Sequence, residues 1–169
     1  MPKNEMILKS NVVEIHSKDV DFTRSDITPY IIQSPTPNFL GLMPLTWVYY
    51  KTENKKDKKL SNWINKTIGE KPVYFSKEME ESSIVQIDKY LNDIGYFNSD
   101  ISTEIKNKNG ISKVYYNIYP SQPYIVDSIS YTITDSVLYK YVKRLERILP
   151  VQKGDIYNAF ELDDERDMI

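Results

Sequence analysis

The sequence predicts an α+β chain in which two helices lie on one face of a three-stranded mixed sheet, in the order β-α-α-β-β, followed by an incomplete second unit that starts the same way. Three observations predict it. Residues 90–133 read as a helix end at Gly95, two strands joined by Asn109-Gly110, and the opening strand of a further unit. Residues 76–94 carry the longest helical periodicity, with Ile84, Ile87, Leu91 and Ile94 at spacings of three, four and three. The order of elements then repeats: Tyr74-Phe75-Ser76 before the first long helix parallels Ile156-Tyr157-Asn158 before the last one.

The first strand is residues 7–15, where Ile7, Val13 and Ile15 share one parity with Lys9 and Asn11. Ser25 or Asp26 is placed to cap a short helix reaching about Gln33, with Ile27, Tyr30 and Ile31 on one face. Pro29 falls in its first turn, where a missing N–H costs least, and Pro35, Pro37 and Asn38 stop it. Residues 39–50, FLGLMPLTWVYY, hold Gly41 and Pro44, which argue against one long helix; 45–50 reads as a strand or a buried hook. The run 51–59, KTENKKDKK, reads as a charged solvated loop, and 60–68 as a short helix with Leu60, Trp63 and Ile64 inward, ended by Gly69.

Ser76 is the expected N-cap of the long helix, and Glu78, Glu80 and Glu81 follow where the helix dipole favours acids. Gly95 is the expected left-handed residue at its end, after which Tyr96 and Phe97 fold back on it. In the hairpin, Ile101, Thr103 and Ile105 alternate with Asp100, Ser102, Glu104 and Lys106, a charged outer face that suits a sheet edge. Residues 112–119 set Val114, Tyr116 and Ile118 against Tyr115, Asn117 and Tyr119. Being apolar or aromatic on both faces, they are expected at the centre, between 99–106 and 7–15.

Pro120 and Pro123 bracket a linker, and 124–133 reads as a strand with Ile125, Ile129, Tyr131 and Ile133 on one parity. Leu138, Val142, Leu145 and Leu149 mark a helix stopped by Pro150; Lys153-Gly154-Asp155 is a turn, and Asn158 caps a helix carrying Phe160, Leu162 and Ile169. The expected division is 5–122, with an insertion around 39–68, and 123–169.

Composition excludes several classes of function. With 40% hydrophobic and 27% charged residues the 169-residue chain is globular, and a net charge of -2 supplies no global basic field for nucleic acid. Without cysteine there is no disulfide framework and no thiolate metal site. No run approaches the roughly 18 apolar residues that cross a bilayer, and MPKNEMILKS lacks the apolar region of a secretory signal. The 14 tyrosines read as cross-strand packing. One histidine, His16, sits at a strand end, five scattered glycines form no phosphate loop, and no nucleophile elbow is present. No enzyme, cofactor, catalytic residue or metal site is therefore expected. A nucleic-acid or membrane-surface module would rest on Lys51 to Lys59 and the tyrosines.

Taken as an ordered series, Tyr90-Leu91 through Gly95-Tyr96-Phe97, Tyr116-Asn117-Ile118, Pro123-Tyr124-Ile125 with Ile129, and Lys153-Gly154-Asp155 with Tyr157, Leu162 and Arg166 resemble the POTRA (polypeptide-transport-associated) domains of the Omp85 superfamily of outer-membrane assembly proteins. Ile31-Ile32-Gln33, Pro37-Asn38 and LTWVYY are similar to the N-terminal part of its BamA/TamA-like translocation-and-assembly branch from Bacteroidetes. The resemblance covers nearly the whole chain, best from about Gly69 onward. It implies tandem modules on the periplasmic side of the outer membrane, with the signal and a C-terminal membrane β-barrel of the same full-length protein outside this sequence. It further implies a scaffold that guides unfolded outer-membrane or translocated polypeptides and docks periplasmic or outer-membrane assembly partners. A division-type or other POTRA-like interaction module without a barrel is the alternative. In the scaffold reading, an extended client adds a strand to the edge formed by Ser99, Asp100, Ile101, Ser102, Thr103, Glu104, Ile105 and Lys106.

Overall fold

The computed structural model describes residues 6–35, 38–39, 43–44, 73–108, 110–145 and 148–168. The expectations for 45–50, 51–59, 60–68 and Asn109 lie outside the described residues. The elements are β1 (Ile7–Ile15), α1 (Arg24–Ile27) continued by a 3-10 turn (Thr28–Tyr30), β2 (Asn38–Phe39), β3 (Met43–Pro44), α2 (Lys77–Asp93), β4 (Asp100–Lys108), β5 (Ile111–Tyr119), α3 (Ser136–Leu145) and α4 (Ala159–Met168). The main sheet is three-stranded in the order β1-β5-β4, with β1 parallel and β4 antiparallel to β5. This is the predicted mixed α+β sheet, with the two-sided apolar strand at its centre; β2 and β3 pair separately.

The core lies between one sheet face and the helices. Leu8, Val13, Val114, Tyr116 and Ile118 meet Phe22, Ile27, Ile31, Ile87, Leu91 and Tyr96, all buried, while Ile84, Ile94, Ile101 and Ile105 pack half-buried around them. Ile87 and Leu91 have no exposed surface, and each such burial contributes about 1.5–3 kcal/mol. Expected alongside them, Ile84 and Ile94 flank the contact line and keep part of their surface.

β1 differs from its expected parity because the register slips between Leu8 and Ser10. Leu8 pairs with Ser112 and Ser10 with Lys113, so Lys9 is an extra residue, a β-bulge. Leu8, not Ile7, consequently shares the core face with Val13 and Ile15.

The first helix is shorter than 25–33. Thr23 is its N-cap, and Asp26 is the partner whose carboxylate accepts from the Thr23 amide and hydroxyl, both at 2.8 Å. Those two bonds lower the Asp26 pKa. Pro29 sits at the start of the 3-10 turn, and the chain is extended again by Ile31, with Ile27 and Ile31 buried as expected. Gln33 then joins three elements: its carbonyl accepts from Asn11 Nδ2 at 2.7 Å, its Nε2 donates to the Tyr74 carbonyl, and its Oε1 accepts from the Ser76 amide at 3.1 Å.

α2 starts at its predicted cap, where Ser76 Oγ accepts from the Met79 amide, and ends on Gly95 at φ +87°. Of the three acids in its first turns, Glu78 accepts from the Ser76 hydroxyl at 2.6 Å and Glu81 pairs with Lys77 at 3.4 Å, both exposed. Glu80 departs from the dipole reading: it is buried and accepts a hydrogen bond from the Thr103 hydroxyl of β4.

After Pro123 the expected strand 124–133 is not formed. Ile125 alone makes a bridge, antiparallel to Ile156, and 126–135 has no ladder, since β patterning becomes a strand only where a partner supplies the other half of the hydrogen bonds. α3 begins behind Asp135, whose Oδ1 accepts from the Val137 and Leu138 amides, and Leu149 and Val151 beyond it are buried with Val142. Gly154 has φ +98° in the expected turn, and Asn158 Oδ1 caps α4 by accepting from the Phe160 amide at 3.0 Å. Phe160 and Leu162 are exposed, whereas Glu165 is buried, accepting from the Val151 amide and the Tyr131 hydroxyl.

Candidate functional site: the open edge of the sheet

β4 is an edge strand, as its alternating charges predict. Ile101, Thr103 and Ile105 are half-buried toward the helices, and Asp100, Ser102, Glu104 and Lys106 are exposed on the other face. Ser99, also expected in the strand, instead precedes it and donates its hydroxyl to the Tyr96 carbonyl at 2.8 Å.

The hydrogen bonds of β5 decide which backbone groups of β4 are free. The carbonyls of Ile118 and Gly110 accept from the His16 and Ile7 amides, so even-numbered residues of this strand point their backbone at β1. N–H and C=O of one strand residue point the same way and alternate along the chain, so the odd-numbered residues face β4. With the register Asp100↔Tyr119, Ser102↔Asn117, Glu104↔Tyr115 and Lys106↔Lys113, residues 100, 102, 104 and 106 exchange bonds with β5. Ile101, Thr103 and Ile105 stand in the intervening pairs and present their amides and carbonyls outward. Among the described residues, no strand pairs with that side.

One buried polar contact anchors the edge to α2, where Glu80 accepts from Thr103. A second polar side chain of α2, Ser83, has no exposed surface and lies by the Tyr116 hydroxyl of the central strand; its Oγ accepts from the Ile32 amide at 3.0 Å and donates to the Met79 carbonyl at 2.6 Å. Burial is the main cause that pushes the Tyr116 phenol above its ordinary pKa, with Glu80 adding to it. Glu80 and Ser83 were missed as contributors because their partners lie 23 and 33 residues away in the chain; the i, i+3 placement of two polar residues on the inward helix face was the available signal.

The outer sheet face carries other groups. His16 stacks on Tyr119 with ring centroids 4.4 Å apart, and its Nε2 lies 3.1 Å from Asn117 Oδ1. Lys9, Lys106, Lys108 and Lys113 surround Ile111 and Tyr115 at the end of the sheet nearest Gly110. A cleft beside α2 is lined by Asp21, Asp26, Tyr90, Tyr96, Asp155 and Glu161 among others. Among the described residues, no group of three or more metal-binding side chains is present, and no helix is long and apolar enough to cross a membrane.

No protein-family model and no curated protein matches the sequence. Among solved structures the chain is similar to POTRA1-2 of the periplasmic domain of Omp85 from Anabaena, at 10% identity and a TM-score of 0.43, over 98% of this chain and 76% of that one. It is also similar to POTRA3-5 of BamA from Haemophilus influenzae, at 13% identity and a TM-score of 0.43, over 99% of this chain and 55% of that one.

Proposed function

We propose that the chain is a periplasmic POTRA scaffold of an Omp85-type outer-membrane protein, which guides unfolded polypeptides for outer-membrane assembly or translocation. Residues 5–122 form one module and 123–169 the opening elements of a second, and a membrane β-barrel belongs to the same full-length protein. The observation that carries the reading is the outward backbone of Ile101, Thr103 and Ile105 on an edge strand whose outer face is polar. Such an edge binds by β-augmentation: the client contributes backbone hydrogen bonds, so many client sequences are accepted, and exposed charges keep empty edges from pairing with one another.

The division into modules is supported by a repeated backbone junction. Ile7 bridges Tyr74 through Leu8 N–H to Val73 O and Phe75 N–H to Met6 O; Ile125 bridges Ile156 through Val126 N–H to Asp155 O and Tyr157 N–H to Tyr124 O. Tyr74 and Ile156 each stand two residues before a helix cap, Ser76 and Asn158.

Photo-crosslinking in cells, from a probe at Ser102 of the full-length protein, tests the function. Capture of unfolded outer-membrane proteins from this position, and not from Lys140 on α3, is expected. Equal capture from both, or capture of folded proteins alone, contradicts the scaffold role.

A further inference from the structure

The open edge is electrically polarised. Along its outer face, Asp100 and Glu104 occupy the N-terminal part, and Lys106 and Lys108 the C-terminal part. The positive end is reinforced by Lys113 of the adjacent β5 and, across β5, by Lys9 of β1, which the bulge leaves without a cross-strand partner. The four lysines enclose Ile111 and Tyr115. Lys106 lies 4.4 Å above the Tyr115 ring and 3.3 Å from Glu104, and its side chain keeps 55% of its surface exposed. Local charge here is thus opposite in sign to the net charge of -2.

We propose that this edge is selective for the placement of charge in its client: it takes extended segments with acidic residues at alternate positions near one end, and the acidic end is held beside Lys106 and Lys108. The inference rests on the β4 edge-pairing reading and adds a direction to it. Residues two apart on a strand share a face, so acids at i and i+2 of an added strand stand opposite Lys106 and Lys108 while the intervening residues face the helix layer. Reversing the client sets one of its acids opposite Asp100 or Glu104 and the other beside Ser102, and like charges directly opposite one another are unfavourable. An acidic membrane surface is the weaker match, because the gradient runs along the same line as the free backbone groups.

The test uses three extended peptides of alternating polarity with the intact chain: one with two acids at alternate positions near one end, one with those acids at the other end, and one with glutamines instead. Each carries a nitroxide at a fixed terminus. In low salt, the nitroxide near the acids should broaden the amides of Lys108 and residues 110–113, and the nitroxide remote from them those of Asp100 and Ile101. The acidic peptides should bind about 10-fold more tightly than the glutamine peptide, an advantage lost in high salt and in Lys106→Glu/Lys108→Glu. Equal, salt-insensitive binding of all three peptides along β4 overturns the charge selection and leaves edge pairing intact. Absence of binding by any peptide overturns both. Preferential binding of vesicles of phosphatidylcholine and phosphatidylglycerol, abolished by the same double substitution, assigns the lysines to a membrane surface instead and also overturns the inference.

Discussion

Gly95 is the seat of Tyr157: a methyl group added to its α-carbon would stand 2.5 Å from the Tyr157 carbonyl oxygen. The same glycine ends α2 in the left-handed region at φ +87° and accepts, through its carbonyl, from the Tyr124 amide at 2.9 Å. Phe97 packs edge-on against Tyr124 at 4.9 Å and lies 5.5 Å from Tyr157. One residue therefore closes the long helix and fixes where the following elements attach.

Gly95→Ala should strain the backbone and displace Tyr157 together. The left-handed conformation alone costs a non-glycine residue about 1–2 kcal/mol. Denaturant melts are expected to show at least that loss, with faster amide exchange at Tyr124 and Tyr157. Unchanged exchange at both would mean that the junction does not depend on this contact.

Hydrogen exchange should alternate along β4. The amides of Ser102, Glu104 and Lys106, turned to β5, are expected to be protected, and those of Ile101, Thr103 and Ile105 to exchange quickly. The reverse alternation would place the free donors on the other parity. For the same reason Ser102→Pro should damage the hairpin, because it deletes a donor that β5 uses.

The two sides of α2 should differ in what truncation costs. Leu91 has no exposed surface, so Leu91→Ala is expected to lose roughly 2–5 kcal/mol. Ile84 is half-buried at the margin of the core, and Ile84→Ala should lose less. Equal losses in denaturant melts would mean that the buried face is centred elsewhere.

Alkaline stability should depend on Tyr90. Burial first, then Asp26 and Tyr30, push its phenol from the ordinary value of 10.0 up to about 12 in the folded chain. Tyr30 stacks on it with centroids 4.5 Å apart. Between those two pH values the unfolded chain releases this proton and the folded chain retains it, so the contribution is complete below about pH 10 and is lost as pH rises toward 12. Tyr90→Phe should therefore lose less stability than the parent chain across that window. Parallel losses in pH-dependent melts would show that Tyr90 titrates normally.

Much of the fold was legible because its signals are local. The Ser76 cap, the Gly95 stop, the two alternating hairpin strands and their edge and centre positions depend on residues close in sequence. What escaped depends on distant partners. The slip at Lys9 is defined by pairing to residues more than a hundred positions later, and it moved Leu8 to the face expected of Ile7. Residues 124–133 carry strand patterning without a ladder, except at Ile125. Glu80 looked like a dipole acid until β4 brought Thr103 to it. At the candidate site, the edge was readable from its charges, but which amides face outward required the register with β5; Ser102 and Thr103 were equivalent on sequence and are opposite in structure.

Amide NMR of the chain with an unfolded outer-membrane β-strand peptide, unmodified and N-methylated on alternate residues, tests the edge-pairing claim most directly. Shifts centred on Ile101, Thr103 and Ile105 are expected, with affinity between millimolar and micromolar, about 4 to 8 kcal/mol, and loss of binding when one parity of peptide amides is methylated but not the other. Shifts confined to another surface, no shifts in the millimolar range, or equal tolerance of methylation on both parities would contradict it.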